Sequence, residues 1–346
     1  MTTYCGVDFH ARQQTICYCD TADGVIHCQE LYHGKDDVRD FYSQFTGGAI
    51  VGLEASGYST WFVELLEGLN HQVRIGDASE IRRRARSRQK NDRRDAELIL
   101  DLLLREEFPQ VHRPAFASRE ILRLLRYRHR LVQMRTQCKN SLQALAYSAG
   151  SAKRAALLSQ KGRERFLQLP MSAAMDRQRR EWLRFVAEFD ERIKELDGWL
   201  TEQAELDERV LRLQTHPGIG LLTSLALVHG LEPVSRFAGG RKVAAYVGLD
   251  PVEHSSGGKQ KFGSISKGGS RLLRYLLVEA AQTAVRRDEQ LKAFYSRLFK
   301  KRGAQKAKVA AARKLLIRSY ILLRDKIDYA EFLSRGVEAR TARPAT

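Results

Sequence analysis

Asp92 and Asp95 stand three residues apart in the most basic part of the chain, within IRRRARSRQKNDRRDAELILDLLL. A carboxylate pair set in a phosphate-attracting surface is what metal-dependent chemistry on nucleic acid requires. On a helix, positions i and i+3 lie on one face, so both carboxylates can reach a single metal centre. The same string also fits an ordinary helix start, with Asp at the N-cap and Arg and Glu on the solvated face. Two further acids fall where a site would be: Asp8 closes the first apolar run, and Glu54 closes the run from Ala49 to Leu53. Each has a plain alternative, Asp8 as a loop cap and Glu54 as a cap for the following helix. Asp77, Glu80, Glu97 and Asp101 are near enough to replace one of the four. Four oxygen ligands suit Mg²⁺ or Mn²⁺. Such ions polarise a phosphodiester and stabilise its attacking and leaving oxygens.

The elements that must position these acids follow from local pattern. Tyr4 to Asp8 is a short apolar run, and Thr15 to Cys19 is β-branched and aromatic. Thr21-Ala22-Asp23-Gly24 turns into Val25 to Leu31, so a hairpin follows the first strand. A helix is expected over Asp36 to Phe45, stopped by Gly47-Gly48. Ala49 to Leu53 reads as a buried strand, then a helix from Ser59 to Leu69, a strand from Gln72 to Ile75, and a periodic helix from Asp92 to Arg105. The order β-β-β-α-β-α-β-α is an α/β pattern with three antiparallel strands first, the build of ribonuclease H-like folds. In such a sheet Asp8 and Glu54 project from adjacent strand ends, and the helix bearing Asp92 and Asp95 closes the cleft.

From Ser118 to Leu206 the pattern is helical. Leu124, Tyr127, Leu131, Met134, Cys138 and Leu145 follow a 3-4 spacing, and Trp182, Val186, Phe189, Ile193, Leu196 and Leu200 follow it more cleanly. Alternating steps of four and three are the coiled-coil period. With the polar stretch from Ser148 to Met175 between them, these runs predict an antiparallel helical hairpin that could also pair with another subunit. A plain bundle face fits equally well.

Beyond Val210 the chain is mainly helical. His216-Pro217-Gly218-Ile219-Gly220 before an apolar helix resembles the helix-hairpin-helix motif, in which backbone N–H groups at a helix N-terminus meet a phosphate. Pro-Gly turns between helices also occur without ligands. Tyr246 to Pro251 (YVGLDP), a Ser-Gly loop at His254 to Lys259, and GSISKGG from Gly263 to Gly269 then lead into a helix opening with Arg271. Arg286 to Lys314 holds eleven basic residues interleaved with Phe294, Tyr295 and Phe299, read as a helix that can follow a phosphate backbone.

Composition narrows the partners. Fifty-nine Lys and Arg against 41 Asp and Glu leave a formal charge of +18 over 346 residues. A chain this basic most often meets a polyanion, because neutralised phosphates release counterions. No apolar run reaches the length of a membrane span, and MTTYCGVDFH lacks the pattern of a secretory signal. Cys5, Cys17, Cys19, Cys28 and Cys138 form no even-numbered framework, which suits a reducing cytoplasm. Cys17 and Cys19 with His10 and His27 suggest zinc only weakly, as no distal C-x-x-C accompanies them.

Taken together, these motifs resemble the IS110 type of bacterial insertion-sequence transposase, the bridge-RNA-guided recombinases. The resemblance spans nearly the whole chain: GVDFH at Asp8, GLEASG at Glu54, KNDRRDAELI at Asp92 and Asp95, HPGIG, YVGLDP, SSGGKQKFGSISKGGSRLLR from Ser255 to Arg274, and ARKLL from Ala312 to Leu316. It implies an N-terminal RuvC-like domain and a serine-bearing C-terminal transposase domain; with the element pattern, the expected division is 1–115 RuvC-like, 116–206 helical coiled coil, 207–335 mainly α transposase domain and 336–346 flexible tail. Asp8, Glu54, Asp92 and Asp95 match the family's metal-binding Asp-Glu-Asp-Asp set, with Mg²⁺ as the expected ion and Mn²⁺ as the alternative. The family's DNA-linking serine falls on Ser256, with Ser255 beside it and Ser264, Ser266 and Ser270 close by.

A serine hydroxyl needs an activated electrophile, and Lys259, Lys261 or Lys267 could neutralise developing charge. Nucleic-acid contacts are expected at Arg83, Arg86, Lys90, Gly218, Gly220, Lys259, Lys267 and Arg271. The resemblance also implies donor and target DNA, a guide RNA, a tetramer with composite sites, and a bacterial cytoplasmic setting. A hydrolytic RuvC-like nuclease or junction resolvase, or a non-catalytic nucleic-acid scaffold, are the competing readings.

Overall fold

The structure, a computed structural model, describes residues 2–34, 36–85, 91–151, 160–253 and 262–341. It divides into two compact units, Met1–Arg113 and Pro114–Thr346. The first unit runs β1 (Thr3–Phe9), β2 (Gln13–Asp20), β3 (Ile26–Tyr32), α1 (Asp37–Ser43), β4 (Ala49–Glu54), α2 (Thr60–Gly68), β5 (Gln72–Gly76), α3 (Ala78–Arg84) and α4 (Asp92–Leu104). The sheet order is β3-β2-β1-β4-β5, with β1–β3 antiparallel and β1, β4 and β5 parallel. This is the expected mixed sheet. The short helix α3 was not expected. It is capped by Asp77, whose carboxylate accepts from the Ser79 and Glu80 amides.

Successive strand residues face opposite sides, and the two faces of β1 have different tasks. Cys5, Val7 and Phe9 join Val51 and Leu53 in a core with Phe41, Tyr42, Phe62 and Leu66 of α1 and α2. On the other side, Gly6 and Gly52 are register partners beneath α4. A Cβ at Gly6 would collide with the Ala96 carbonyl and the Leu100 amide, and one at Gly52 with the Leu103 and Ile99 side chains. The two glycines therefore form a trough into which α4 settles, burying Ala96, Ile99, Leu100 and Leu103. Each buried Leu or Ile contributes about 1.5–3 kcal/mol, against about 1 kcal/mol for an N-cap such as Asn91. Packing, rather than capping, fixes where α4 lies.

The cysteine expectation needs correction. Cys17 of β2 lies directly opposite Cys28 of β3, and their sulfurs are bonded. Counting cysteines could not reveal a pair created by strand register. His27 turns to the other face and stacks on Tyr18, 5.3 Å between ring centroids, so the Cys17, Cys19, His10 and His27 grouping is not assembled.

The second unit holds α5 (Phe116–Ser148), α6 (Gln160–Leu167), α7 (Ala173–Glu205), α8 (Glu208–Gln214), α9 (Leu221–Leu231), α10 (Gly240–Val247), the hairpin β6 (Pro251–Glu253) and β7 (Phe262–Ile265), then α11 (Arg271–Arg287), α12 (Glu289–Arg302), α13 (Ala304–Asp325) and α14 (Tyr329–Thr341). Arg128 pairs with Asp197 and Arg135 with Asp190, each at 2.6 Å. Seven residues forward on α5 match seven backward on α7, so the two 33-residue helices are antiparallel. On α7 the buried seam holds Val186, Ile193 and Leu200, three of the six residues expected, while Trp182, Phe189 and Leu196 are half-buried. On α5 it is Ile121, Leu125, Leu131, Cys138, Leu142 and Ala146, whereas Tyr127 and Met134 face solvent.

The outer ends of this pair belong to the C-terminal core, where Ile121, Leu125, Leu200 and Ala204 cluster with residues of α8, α9, α10, α11, α12 and α13. Two expectations differ here. Arg286 to Lys314 is not one helix: it breaks at Asp288, which caps α12 by accepting from the Leu291 amide, and again at Gly303. The final helix continues to Thr341, into the stretch expected as a tail. No described helix is long and apolar enough to cross a membrane.

Candidate functional site

Asp92 and Asp95 occupy the first turn of α4, but neither is its cap. That role belongs to Asn91, whose side chain accepts from the Arg93 amide. At spacings of three and four, Asp92 and Asp95 continue the stripe of Ala96, Ile99 and Leu103 one turn past the glycine trough. The acids therefore sit on the sheet-facing side of the helix, beyond the sheet's end. Asp8 lies one residue past the Val7–Leu53 register pair, and Glu54 directly follows Leu53. Each is two residues after a trough glycine, so Gly6 with Asp8 and Gly52 with Glu54 share the α4 face. First-turn carboxylates also complement the helix dipole.

The electrostatics tie the four together. Burial pushes the Asp8 carboxyl above its ordinary pKa; His10 opposes this, and Asp92, Asp95 and Glu54 push it further up. Asp8 is nearly enclosed, its side chain 9% exposed, and the His10 Nε2 atom stands 3.1 Å from its Oδ2 and 3.4 Å from Asp92 Oδ2. The donor atoms of Asp8, His10 and Asp92 all lie within 4.8 Å of one another. Like charges crowded around a buried carboxylate raise its pKa, and a bound divalent cation relieves that repulsion. The donor set thus fits such an ion. The competing acids are engaged elsewhere: Asp77 caps α3, Glu80 pairs with Arg83, Glu97 with Arg93 and Asp101 with Arg105.

His10 is the residue that the sequence grouped elsewhere, with Cys17, Cys19 and His27 as a weak zinc suggestion. Its signal was period two, since Gly6, Asp8 and His10 alternate onto one face. An open cleft of about 900 Å³ runs along α4 from Asp95, lined among others by Arg84, Arg94 and Arg105.

In the second unit, Ser256, Ser255, Lys259 and Lys261 lie outside the described residues, as do Arg86 and Lys90 of the first. The described flanks are tightly tied. The Ser266 hydroxyl donates to the Asp250 carboxylate, and Ser266 N–H donates to the Asp250 carbonyl at 2.9 Å. Arg274 donates to the carbonyls of Val247 and Gly268, joining YVGLDP to ISKGG. Ser270 caps α11 through the Leu273 amide. Ser266 and Ser270 are thus bound into the scaffold. Lys267 and Arg271 are exposed beside them.

The HPGIG turn joins α8 to α9. Gly218, at φ 98°, packs its Cα against the backbone of Ala284. That contact gives it a packing role, whereas Gly220 opens α9 with free space where a side chain would be. His216 is fully buried; burial depresses its pKa to about 4. It adjoins Asp288, which accepts from Arg318 and, at 2.5 Å, from the Tyr329 hydroxyl.

Carboxylates gathered at the strand ends of a mixed α/β sheet, followed by a basic helical region, are features of DNA-recombining enzymes, and comparison with known proteins places the chain among insertion-sequence transposases. Residues 5–148 match a transposase family model of the IS110 DEDD type, and residues 210–296 match the transposase model described as IS116/IS110/IS902 family. The chain belongs to that family. It is 28% identical over 291 residues to a probable family 20 transposase of Pseudomonas aeruginosa, covering 81% of this chain and 83% of the relative. It is 28% identical over 323 residues to the transposase for insertion sequence element IS1111A of Coxiella burnetii, covering 89% and 86%. A pilin gene-inverting protein of Moraxella bovis is 29% identical over 171 residues, covering 49% of this chain and 52% of the relative. The DEDD domain match also points to divalent-metal use.

Proposed function

We propose that this transposase exchanges DNA strands through a serine–DNA intermediate, using Asp8, Glu54, Asp92 and Asp95 as its divalent-metal site. The observation that carries the metal site is geometric: donor atoms of Asp8, His10 and Asp92 lie within 4.8 Å of one another, and Glu54 ends the strand paired beside Asp8. Mg²⁺, or Mn²⁺, bound there supplies charge neutralisation at the scissile phosphate. We read the sheet as ribonuclease H-like on its strand order.

Ser256 attacks the scissile phosphorus. The new bond is serine Oγ–P, the bond broken is P–O to a deoxyribose, and the leaving oxygen takes a proton as the serine loses one. The phosphodiester energy is kept in the phosphoserine, so strands rejoin without ATP. Similarity to a gene-inverting protein accords with such conservative exchange. Ser266 and Ser270 are tied into the scaffold, whereas Ser264 is exposed on β7, so the choice of Ser256 rests on the family resemblance rather than on elimination. Lys259, Lys267 and Arg271 stand near that loop in sequence and would bind phosphate. Arg83, Arg86, Lys90 and Gly220 would serve the same end elsewhere.

A guide RNA would select the DNA, drawn to the +18 chain by the same phosphate chemistry. The assembly we infer is a tetramer built through the α5–α7 pair as a coiled coil. Phe185 and Trp199, two heptads apart on α7, and Leu206, one heptad further at its C-cap, remain exposed, as do Tyr127 and Met134 on α5. Its setting is the bacterial cytoplasm.

Trapping tests the chemistry. Donor and target DNA with co-purified RNA are incubated with Mg²⁺, denatured, and examined for a protein–DNA adduct. Wild type is expected to form one and Ser256→Ala none. Cleavage by both proteins with no adduct would instead mean hydrolysis by water.

A further inference from the structure

His10 is held at the acidic cluster with more constraint than a surface histidine needs. It follows the end of β1, and its amide donates to the Gln13 carbonyl at 3.0 Å, closing the tight link to β2. The preceding Phe9 is clamped on the opposite face, stacked on His33 at 4.8 Å and on Phe62 at 5.1 Å. With Phe9 fixed, strand alternation sends the His10 side chain to the face that carries Gly6 and Asp8. Its Nε2 atom then stands between the Asp8 and Asp92 carboxylates, at 3.1 and 3.4 Å. Each of the three residues offers one donor atom, and these atoms lie within 4.8 Å of one another. One cation can therefore be reached by two carboxylates and an imidazole together.

Nitrogen and oxygen donors do not select the same ions. Mg²⁺ takes oxygen almost to the exclusion of other ligands and keeps several waters, whereas first-row transition ions accept imidazole readily. Four carboxylates alone would make an oxygen site suited to Mg²⁺. An imidazole placed among them shifts the preference.

We propose that His10 is a metal ligand, and that it makes this a mixed nitrogen–oxygen site selecting Mn²⁺ or a similar transition ion over Mg²⁺. The inference rests on reading the acidic set as the metal site. A histidine that only hydrogen-bonds Asp8 into position would influence affinity through the carboxylate, but it would leave no nitrogen on the metal. The two roles are therefore separable by spectroscopy.

The test uses the full-length protein as wild type, His10→Ala, His10→Gln and Asp8→Asn, with folding checked by circular dichroism. Mn²⁺ binding is followed by electron paramagnetic resonance, and Mg²⁺ by competition. Pulsed spin-echo modulation on bound Mn²⁺ reports any directly coordinated nitrogen. Wild type is expected to show that nitrogen, and both His10 variants to lose it. Their Mn²⁺ affinity should fall about tenfold or more, the scale on which even outer partners of a metal site matter, with Mg²⁺ affinity changed far less. Bound Mn²⁺ in wild type without a coordinated nitrogen, or a nitrogen signal that persists in His10→Ala, overturns the proposal while leaving the carboxylate site standing. Absence of Mn²⁺ binding in wild type and Asp8→Asn alike overturns both.

Discussion

At Asp8 two tendencies oppose each other: the sheet buries the carboxylate, and three neighbouring acids repel it. Asp8→Asn removes the charge and keeps the shape. In metal-free protein it is expected to leave the melting temperature unchanged or raise it, while abolishing the rise that Mg²⁺ or Mn²⁺ gives wild type. Ligand at a hundredfold excess over its Kd stabilises by about 2.7 kcal/mol, readily seen in thermal denaturation with and without metal.

A second residue-scale prediction concerns His216. Its folded pKa, depressed to about 4 by burial, lies below the usual histidine value of 6.5. Between those values the unfolded chain binds the extra proton, so stability is full above pH 6.5 and falls as pH drops toward 4. Asp288 adds to the same trend at lower pH. Burial pushes its carboxyl up, but Tyr329, the Leu291 amide and Arg318 outweigh that and hold it below its ordinary value. At about 1.4 kcal/mol per pKa unit, the histidine's share is of order 3 kcal/mol. Urea denaturation from pH 7 to 4.5 should show this loss, and His216→Asn should flatten it.

The positions of the four acids were legible in the sequence because each lies at or near the end of a strongly patterned element. The placement of His10 beside Asp8 and Asp92 was not, since it depends on Phe9 being clamped by α2 and on α4 arriving overhead. Both are contacts between residues far apart in the chain.

Among the elements, α4 was read almost to its ends, from Asp92 to Arg105 against an observed Asp92–Leu104. A periodic apolar stripe is a local signal. The seat beneath it was less visible, because Gly6 and Gly52 become a trough only when β1 and β4 pair in register. Gly6→Ala is expected to destabilise the first unit by about 1–3 kcal/mol, the usual cost of overpacking. It should also weaken metal binding, because the helix that carries Asp92 and Asp95 must lift off the sheet. Chemical denaturation and Mn²⁺ titration together check this, and unchanged values in both would mean that the trough does not position the acids. The break of Arg286–Lys314 at Asp288 and Gly303 was missed for the opposite reason: the basic repeat masked a capping residue. The α5 seam shifted because Tyr127 and Met134 fit the heptad spacing while facing outward.

At the scale of the whole molecule, the acidic set lies in the first compact unit and residues 254–261 belong to the second. The proposed strand exchange needs both, because a divalent ion held by the carboxylates would neutralise charge on the phosphate that Ser256 is proposed to attack. Neither part alone accounts for joining rather than cutting. The direct measurement is sequencing of DNA junctions after reaction of donor and target DNA with co-purified RNA and divalent metal. Wild type is expected to give rejoined strands with no bases lost, and Asp95→Asn and Ser256→Ala to give none. Intact junctions from Ser256→Ala, or from Asp95→Asn, would contradict the account.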